Sequence, residues 1–244
     1  MDSARLIDLH QHIIHGVDDG PTDFARTQAM LRLAAENGVS VIAATSHAMP
    51  GLRPFPTDAY QQNLAAARAW IDAEGLPIRL CAGSEIFYTA DAPRLLREGR
   101  VPTLNGTDRV LVEFSPMESY ETIRDAIRKL GNAGCRVVVA HAERYDALRK
   151  AGRIAALRHD LGAYIQINAN TVLSPGGFFR KRWLRGLLES GCCDAVASDA
   201  HNTQSRPCRM NQAHAALSAL LGREAADRMC RFTPARLLGL EKQN

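Results

Sequence analysis

The feature that most constrains this chain is an alternation. Seven short runs rich in valine, isoleucine and leucine are separated by segments with helical spacing: Leu6–His10, Val39–Thr45, Ile78–Ser84, Arg109–Phe114, Arg136–Ala140, Ala163–Asn168 and Asp194–Ser198. Runs of this length and composition read as β-strands, and strands that alternate with helices build a parallel sheet. Thr22 or Asp23 can cap a helix whose Ala29, Met30, Leu33 and Ala34 share one apolar face, with Gly38 ending it. Residues 58–73, 120–132 and 178–190 behave alike, with Gly75, Gly134 and Gly191 at their ends, and 207–240 reads as two or three helices. Seven such units in 244 residues, with no internal repeat, low-complexity tract or linker, predict a single α/β domain over residues 1–244, a closed barrel followed by C-terminal helices.

Composition excludes several classes. A hydrophobic share of 46% with 23% charge is that of a globular chain with a core, not of a disordered one. The longest uncharged apolar stretches are strand-length, so no membrane insertion is expected, and the opening Met-Asp-Ser-Ala-Arg-Leu-Ile-Asp lacks the layout of a secretory signal. The expected location is the cytoplasm. The net charge is only +4 and the basic residues are dispersed, so no nucleic-acid footprint is expected. All but four of the 30 basic residues are arginine, which suits bidentate phosphate recognition but also follows from genome composition in an alanine-rich chain. Six cysteines (Cys81, Cys135, Cys192, Cys193, Cys208, Cys230) form no C-x-x-C pair and are expected reduced and mostly buried. The sequence leaves self-association open.

The chemistry-bearing residues gather at the C-terminal ends of the strand runs. His10 and His12 close the first, His47 follows the second, Glu85 the third, and Glu113 sits near the end of the fourth. His141 follows the fifth, Asn168 and Asn170 the sixth, and Asp199 and His201 the seventh. In a parallel barrel those ends meet on one face, where active sites are built. Imidazoles and carboxylates crowded there are costly unless they coordinate metal, and a donor set without thiolate favours Mn, Fe or Zn. On a strand, side chains two apart share a side, so His10 and His12 can reach one ion. The number of ligands implies two or three divalent ions.

These residues resemble a known family. Asp8-Leu-His10-Gln-His12, with Gly16-Val-Asp18-Asp19-Gly20-Pro21 close behind, looks like the opening of the polymerase-and-histidinol-phosphatase (PHP) superfamily, and within it the bacterial capsule and exopolysaccharide tyrosine phosphatases. Ala44-Thr-Ser-His47, Gly83-Ser-Glu85, Val112-Glu113-Phe, His141-Ala-Glu143-Arg144-Tyr145, Gln166-Ile-Asn168-Ala-Asn170 and Ser198-Asp199-Ala-His201-Asn202, leading to Arg206-Pro207, extend the likeness from residue 8 to residue 207. The resemblance implies a distorted (β/α)7 barrel of TIM type and a trinuclear centre, with manganese foremost and iron or zinc as alternatives. It implies that His10 and His12 hold a first ion with Glu85 and Asp199, and that Glu85 bridges to a second held by Glu113 and His141. Asp19, His47 and His201 then hold a third, while Asp8 and Asp18 orient ligands. It also implies metal-assisted hydrolysis of protein phosphotyrosine, with Arg144 and Arg206 neutralising the phosphoryl oxygens and a bacterial tyrosine autokinase as the substrate partner. Phe87, Tyr88 and Tyr145 lie near ligands, where they could stack on the substrate ring.

Several features stand outside that pattern. After His47 come Ala48, Met49, Pro50 and Gly51, where relatives often carry further histidine or arginine, and Arg53 is a candidate for the displaced charge. His15, His159 and His214 match no ligand position. Cys230 and Arg236 satisfy the C-x5-R spacing of thiolate phosphatases, but the segment between them holds no glycine, includes a proline and follows no strand, so a chance match is the better reading. Amidohydrolases, which also open with His-x-His, commonly bridge their metals with a modified lysine, yet none of Lys129, Lys150, Lys181 or Lys242 ends a strand run. A histidinol phosphatase or other small-molecule phosphoesterase of the same superfamily remains the alternative, followed by a metal-dependent deoxyribonuclease and by a non-enzymatic regulatory module.

Overall fold

The computed structural model describes residues 5–240, so Lys242 lies outside the described residues. Seven strands run in chain order, each parallel to the next: β1 (Leu6–Gln11), β2 (Val39–Ala48), β3 (Arg79–Phe87), β4 (Arg109–Glu113), β5 (Arg136–Val139), β6 (Tyr164–Asn168) and β7 (Ala195–Ala197). Among the described residues ten α-helices accompany them: α1 (Phe24–Glu36), α2 (Thr57–Glu74), α3 (Ala92–Arg97), α4 (Tyr120–Asn132), α5 (Arg153–Leu161), α6 (Ala169–Leu173), α7 (Phe178–Glu189), α8 (Met210–Leu221), α9 (Arg223–Asp227) and α10 (Thr233–Leu237). This is a distorted (β/α)7 barrel. Among the described residues no helix is long and apolar enough to cross a membrane.

Local chemistry explains the boundaries. Asp23, not Thr22, caps α1, its carboxylate accepting the Arg26 N–H at 3.0 Å. Gly75 ends α2 in the left-handed conformation, at φ 64°, that an L side chain disfavours. β2 and β3 outrun their apolar runs, because His47 and Glu85 are paired in register and carry the ladder past the hydrophobic residues. The short helices α3, α5 and α6 carry too few apolar positions for periodicity to mark them.

Alternation along the strands divides the core in two. Ile7, Leu9, Ala43, Leu111, Val138, Ala140, Ala195 and Ala197 pack into the barrel interior, and Leu104, Leu237 and Leu238 join them. The other strand face, with Ile42, Val110, Val112, Val137, Ile165 and Val196, packs against the surrounding helices. Continuing the interior alternation carries Ala43 to His47, Leu111 to Glu113, and Ala197 to Asp199. The same period that fills the barrel therefore aims these polar side chains into its C-terminal mouth.

The barrel is closed by a different device. Between β1 and the residues after β7 there is a single bridge, Gln11 to Ala200, with the Asp199 N–H donating to His10 O at 2.8 Å and the His12 N–H to Ala200 O at 2.9 Å. Below it the buried Asp8 carboxylate accepts the Ser198 N–H at 2.8 Å and the Ser198 hydroxyl.

Candidate metal centre

All nine residues read as ligands meet at the C-terminal mouth. His10 Nε2 and His12 Nε2 lie 3.2 Å apart, and Glu85 Oε2 is 3.2 Å from the first and 3.1 Å from the second. The pair converges although β1 ends between them, at Gln11, where its register with β2 is irregular. Asp19 Oδ1 stands 3.3 Å from both His47 Nε2 and His201 Nε2. On its other edge, His47 Nδ1 faces Glu85 Oε2 at 3.2 Å and Glu113 Oε1 at 3.1 Å. His141 Nε2 is 2.7 Å from Glu85 Oε1 and 3.7 Å from Glu113 Oε2.

Three sets of donor atoms are close enough to share an ion: His12, Asp19, His47 and His201; His10, His12 and Glu85; and His47, Glu85 and Glu113. They overlap with the partition drawn from the sequence without reproducing it, since His12 and His47 each belong to two sets. Asp199 and His141 belong to none of the three, although Asp199 Oδ1 lies 3.5 Å from His10 Nε2 and 3.6 Å from His12 Nε2. Its Oδ2 accepts Arg144 Nη2 at 2.6 Å and Asn168 Nδ2 at 2.8 Å, and its Oδ1 lies 2.9 Å from Arg206 Nη2. Both guanidiniums are only partly buried, so each spans the boundary between the site and solvent.

The donor set fits divalent metal. His12 Nδ1 donates to Asp18 Oδ2 at 2.8 Å, His201 Nδ1 to the Asp199 carbonyl at 3.0 Å, and His10 Nδ1 to Gln166 Oε1 at 3.2 Å. Each ring is thereby turned with Nε2 toward the centre, the arrangement that orients imidazole ligands. His201 Nε2 and His47 Nδ1 are buried and, among the described residues, face carboxylate oxygens at 3.1–3.3 Å without an aligned hydrogen bond, a state that a metal ion relieves. His141 (φ 32°) and Asp199 (φ 53°) both hold left-handed backbone, strain of the kind found at functional sites.

Electrostatics point the same way. Burial pulls the His12 imidazolium down, but Asp18 and Glu85 outweigh it and raise its pKa to about 9. Burial also opposes the charged form of His47, yet Asp19 and Glu113 lift it to about 11. The imidazoles of His201 and His47, each 3.3 Å away, hold Asp19 well below the usual aspartate range, and Glu85 is likewise depressed, its burial overcome by His10 and His12. Without metal, the cluster neutralises its carboxylates with protons on imidazole.

The surroundings refine the sequence reading. Asp18 also accepts the Gly20 N–H at 3.0 Å and the His47 N–H at 3.0 Å, so one carboxylate fixes a turn and two ligand-bearing segments. A Cβ on Gly20 would stand 2.7 Å from His12 O, which is why the turn beside Asp19 needs glycine. Tyr145 cannot stack on a substrate. It is wholly buried, its hydroxyl accepting the Phe114 N–H at 3.0 Å and lying 3.3 Å from His141 Nδ1. Phe87 and Tyr88 are half-buried, and Arg53 sits on an exposed loop outside the donor cluster.

Gln166, on β6 in the Gln166-Ile-Asn168-Ala-Asn170 stretch, links two ligands for which the sequence assigns it no part. Its Oε1 accepts the His141 N–H at 2.8 Å and faces His10 Nδ1, while its Nε2 donates to Asn168 Oδ1 at 2.8 Å. A polar residue two positions before Asn168 on a buried strand was the available signal.

The remaining candidates fall away from the centre. Cys230 is buried in a π-helical turn between α9 and α10, burial pushes its thiol up to about 12, and Arg236 is exposed. His159 is exposed, His15 lies near the surface, and His214 is bound to Asp227. Lys129 and Lys181 lie in helices and Lys150 in a loop, none on a strand end. Of the cysteines, all free, four are buried and Cys135 and Cys192 are half-buried.

The chain is similar to known proteins. The profile of the capsular polysaccharide synthesis family CpsB/CapC matches residues 6–239. The tyrosine-protein phosphatase CpsB of Streptococcus pneumoniae is 34% identical over 238 residues, covering 96% of this chain and 98% of its own. A solved structure from work on YwqE of Bacillus subtilis and CpsB of Streptococcus pneumoniae, described as unique metal-dependent tyrosine phosphatases, superposes with a TM-score of 0.86 at 26% identity, covering 97% of this chain and 96% of that one. A histidinol phosphate phosphatase from Lactococcus lactis, solved with zinc, L-histidinol and phosphate, shares the fold alone, with a TM-score of 0.60 at 12% identity over 91% of this chain and 94% of that one. With the seven-stranded barrel and its mouth of imidazoles and carboxylates, the profile match over nearly the whole length establishes that the chain belongs to the CpsB/CapC family of capsular polysaccharide synthesis.

Proposed function

We propose that this chain is a metal-dependent protein-tyrosine phosphatase, acting on a tyrosine-phosphorylated bacterial autokinase that governs capsular or exopolysaccharide synthesis. The observation that carries the chemistry is the convergence of five histidines and four carboxylates on one barrel mouth, with two half-exposed guanidiniums at its edge. The choice of phosphotyrosine is supported by the activity named for CpsB and YwqE. Imidazole and carboxylate donors of this kind accept manganese, iron or zinc, and we take manganese as foremost.

His10, His12, Asp19, His47, Glu85, Glu113, His141, Asp199 and His201 would hold two or three ions. Divalent ions bound there supply Lewis acidity toward the phosphoryl oxygens and lower the pKa of water toward neutrality. Arg144 and Arg206 present charge-assisted donors to the non-bridging oxygens, where negative charge must be stabilised during transfer. Their attachment to Asp199 keeps both guanidiniums beside the ligand cluster. Asp18, Gln166 and the Asp199 carbonyl hold three imidazoles in the tautomer that leaves Nε2 free, so the ligand geometry is prepared in advance.

The test is to strip the protein with chelator and reload it with manganese, iron or zinc. Phosphotyrosyl peptide, phosphoseryl peptide, histidinol phosphate and DNA are then compared as substrates. Metal-restored turnover of phosphotyrosyl peptide is expected. Efficient histidinol phosphate hydrolysis with negligible phosphotyrosine hydrolysis would transfer the assignment to the small-molecule phosphatases of the same fold.

A further inference from the structure

Two cavities flank the metal centre, and both are walled by arginine. One, of about 370 Å³, contains Arg144 itself together with Arg149, Arg180 and Trp183. The other, of about 310 Å³, begins at Ala48, directly after His47, and carries Arg53, Arg94 and Arg100 beside Phe55 and Leu95. The first is built after β5 and β6 and the second after β2 and β3, so the strand order sets them apart around the barrel mouth.

Of the six arginines in these cavities, three are held by carboxylates, Arg144 among them through Asp199. Arg94 is engaged by Asp91 and Glu98, and Arg149 by Asp146. The one acid lining the first cavity, Glu143, is buried, its Oε1 accepting the Asn168 N–H at 3.1 Å and the Thr171 hydroxyl at 2.9 Å and its Oε2 unpartnered among the described residues, so it is one negative charge against the three guanidiniums of that cavity. Arg53, Arg100 and Arg180 are exposed and have no carboxylate partner among the described residues. Each cavity has room for one side chain, with an apolar wall (Trp183 in one, Phe55 in the other) for methylene groups and a guanidinium for a terminal charge. Cavities that each keep an unpaired guanidinium, on two sides of a phosphate-directed centre, complement an extended anionic segment.

Resting on the phosphatase reading above, we propose that the substrate segment is acidic on both sides of its phosphotyrosine, one carboxylate meeting Arg180 and another meeting Arg53 and Arg100. These arginines select the sequence around the phosphotyrosine and do not touch the reacting phosphorus. An exposed guanidinium–carboxylate pair contributes at most about fivefold, so the two sides together give a preference of about tenfold.

The experiment compares kcat/KM for two phosphotyrosyl peptides, one flanked by glutamates on both sides and one flanked by alanines, on metal-loaded wild type and on Arg180→Glu, Arg53→Glu and the double variant. Taking the ratio within each variant cancels changes in metal loading or folded fraction. Wild type is expected to favour the acidic peptide about tenfold at low salt, less as salt is added. Each charge reversal is expected to cut the ratio severalfold, and the double variant to bring it to one or below. Equal rates on both peptides in wild type, or a preference that survives the double reversal, would remove the flanking sites and leave the phosphatase reading standing. If wild type cleaves neither peptide but hydrolyses another phosphoester, the tyrosine assignment falls and the flanking sites fall with it.

Discussion

Asp8 stands in for a missing strand pairing. Its carboxylate accepts the Ser198 N–H at 2.8 Å and the Ser198 hydroxyl, at the seam where β1 meets the end of β7. Asp199, which carries both guanidiniums, is the next residue, and His10 lies two positions along β1 from Asp8. Barrel closure and site assembly therefore share one contact.

Replacing Asp8 by alanine leaves a buried N–H and hydroxyl without an acceptor, each such loss costing about 1–3 kcal/mol. Asp8→Ala is expected to lower stability by about 3 kcal/mol and to weaken metal retention together with it. Asp8→Asn keeps one acceptor and should lose less, the more so because burial already raises the Asp8 pKa and disfavours its charge. Denaturant titration of the three proteins checks the order, and equal midpoints would show that the seam is held by other contacts.

The arginines on Asp199 are expected to act on turnover, not on metal. Removing a donor aimed at developing phosphoryl charge typically costs about 2–3 kcal/mol, or roughly a hundredfold. Arg206→Ala should therefore cut kcat/KM on phosphotyrosyl peptide by about a hundredfold with metal content unchanged by elemental analysis. Arg144→Ala should behave similarly. An unchanged rate constant would reduce both residues to braces of the Asp199 carboxylate.

Ligand loss should look different. His201→Ala or Glu113→Ala removes a donor from one of the sets able to share an ion, so bound metal and activity should fall together, activity by more than a hundredfold. Cys230→Ser should leave turnover within about twofold, because the buried, protonated thiol is no nucleophile. Loss of activity in the serine variant, with metal and fold intact, would revive the thiolate mechanism.

The sequence disclosed the barrel and its mouth because both depend on short-range pattern. Period-two alternation marks the strands, and a ligand placed two residues beyond an inward apolar residue is carried to the mouth, as Glu113 is by Leu111. What it could not disclose depends on contacts between distant segments. Nothing near Gln166 announces that its amide spans His10 and His141, and nothing near Tyr145 announces that its ring is sealed in the core with its hydroxyl on Phe114. The sharing of His12 and His47 between donor sets likewise arises from how far the loops bring their rings inward, a distance that residue spacing does not encode.

The C-terminal helices offer a test by pH. His214 on α8 meets Asp227 on α9, Nε2 to Oδ1 at 2.8 Å, with Arg231 Nη1 3.4 Å from the same oxygen. Burial alone would raise the Asp227 pKa, but the His214 hydrogen bond and Arg231 overcome it and hold it below the usual 3.8. A carboxyl depressed by folding adds stability above its unfolded pKa, and that stability is lost as pH falls through the folded value. Asp227→Asn should therefore be less stable than wild type by about 1 kcal/mol at pH 6, where the aspartate is ionised. As the pH falls below 3.8, Asp227 is protonated first in the unfolded state and, once the pH has passed the lower folded value, in the folded state too, so the difference shrinks across that interval and closes beneath it. Denaturant midpoints of the two proteins, followed from about pH 6 downward through the acid range, trace that gap directly. A gap that stays constant, or widens in acid, would show that the charge of Asp227 does not hold α8 to α9.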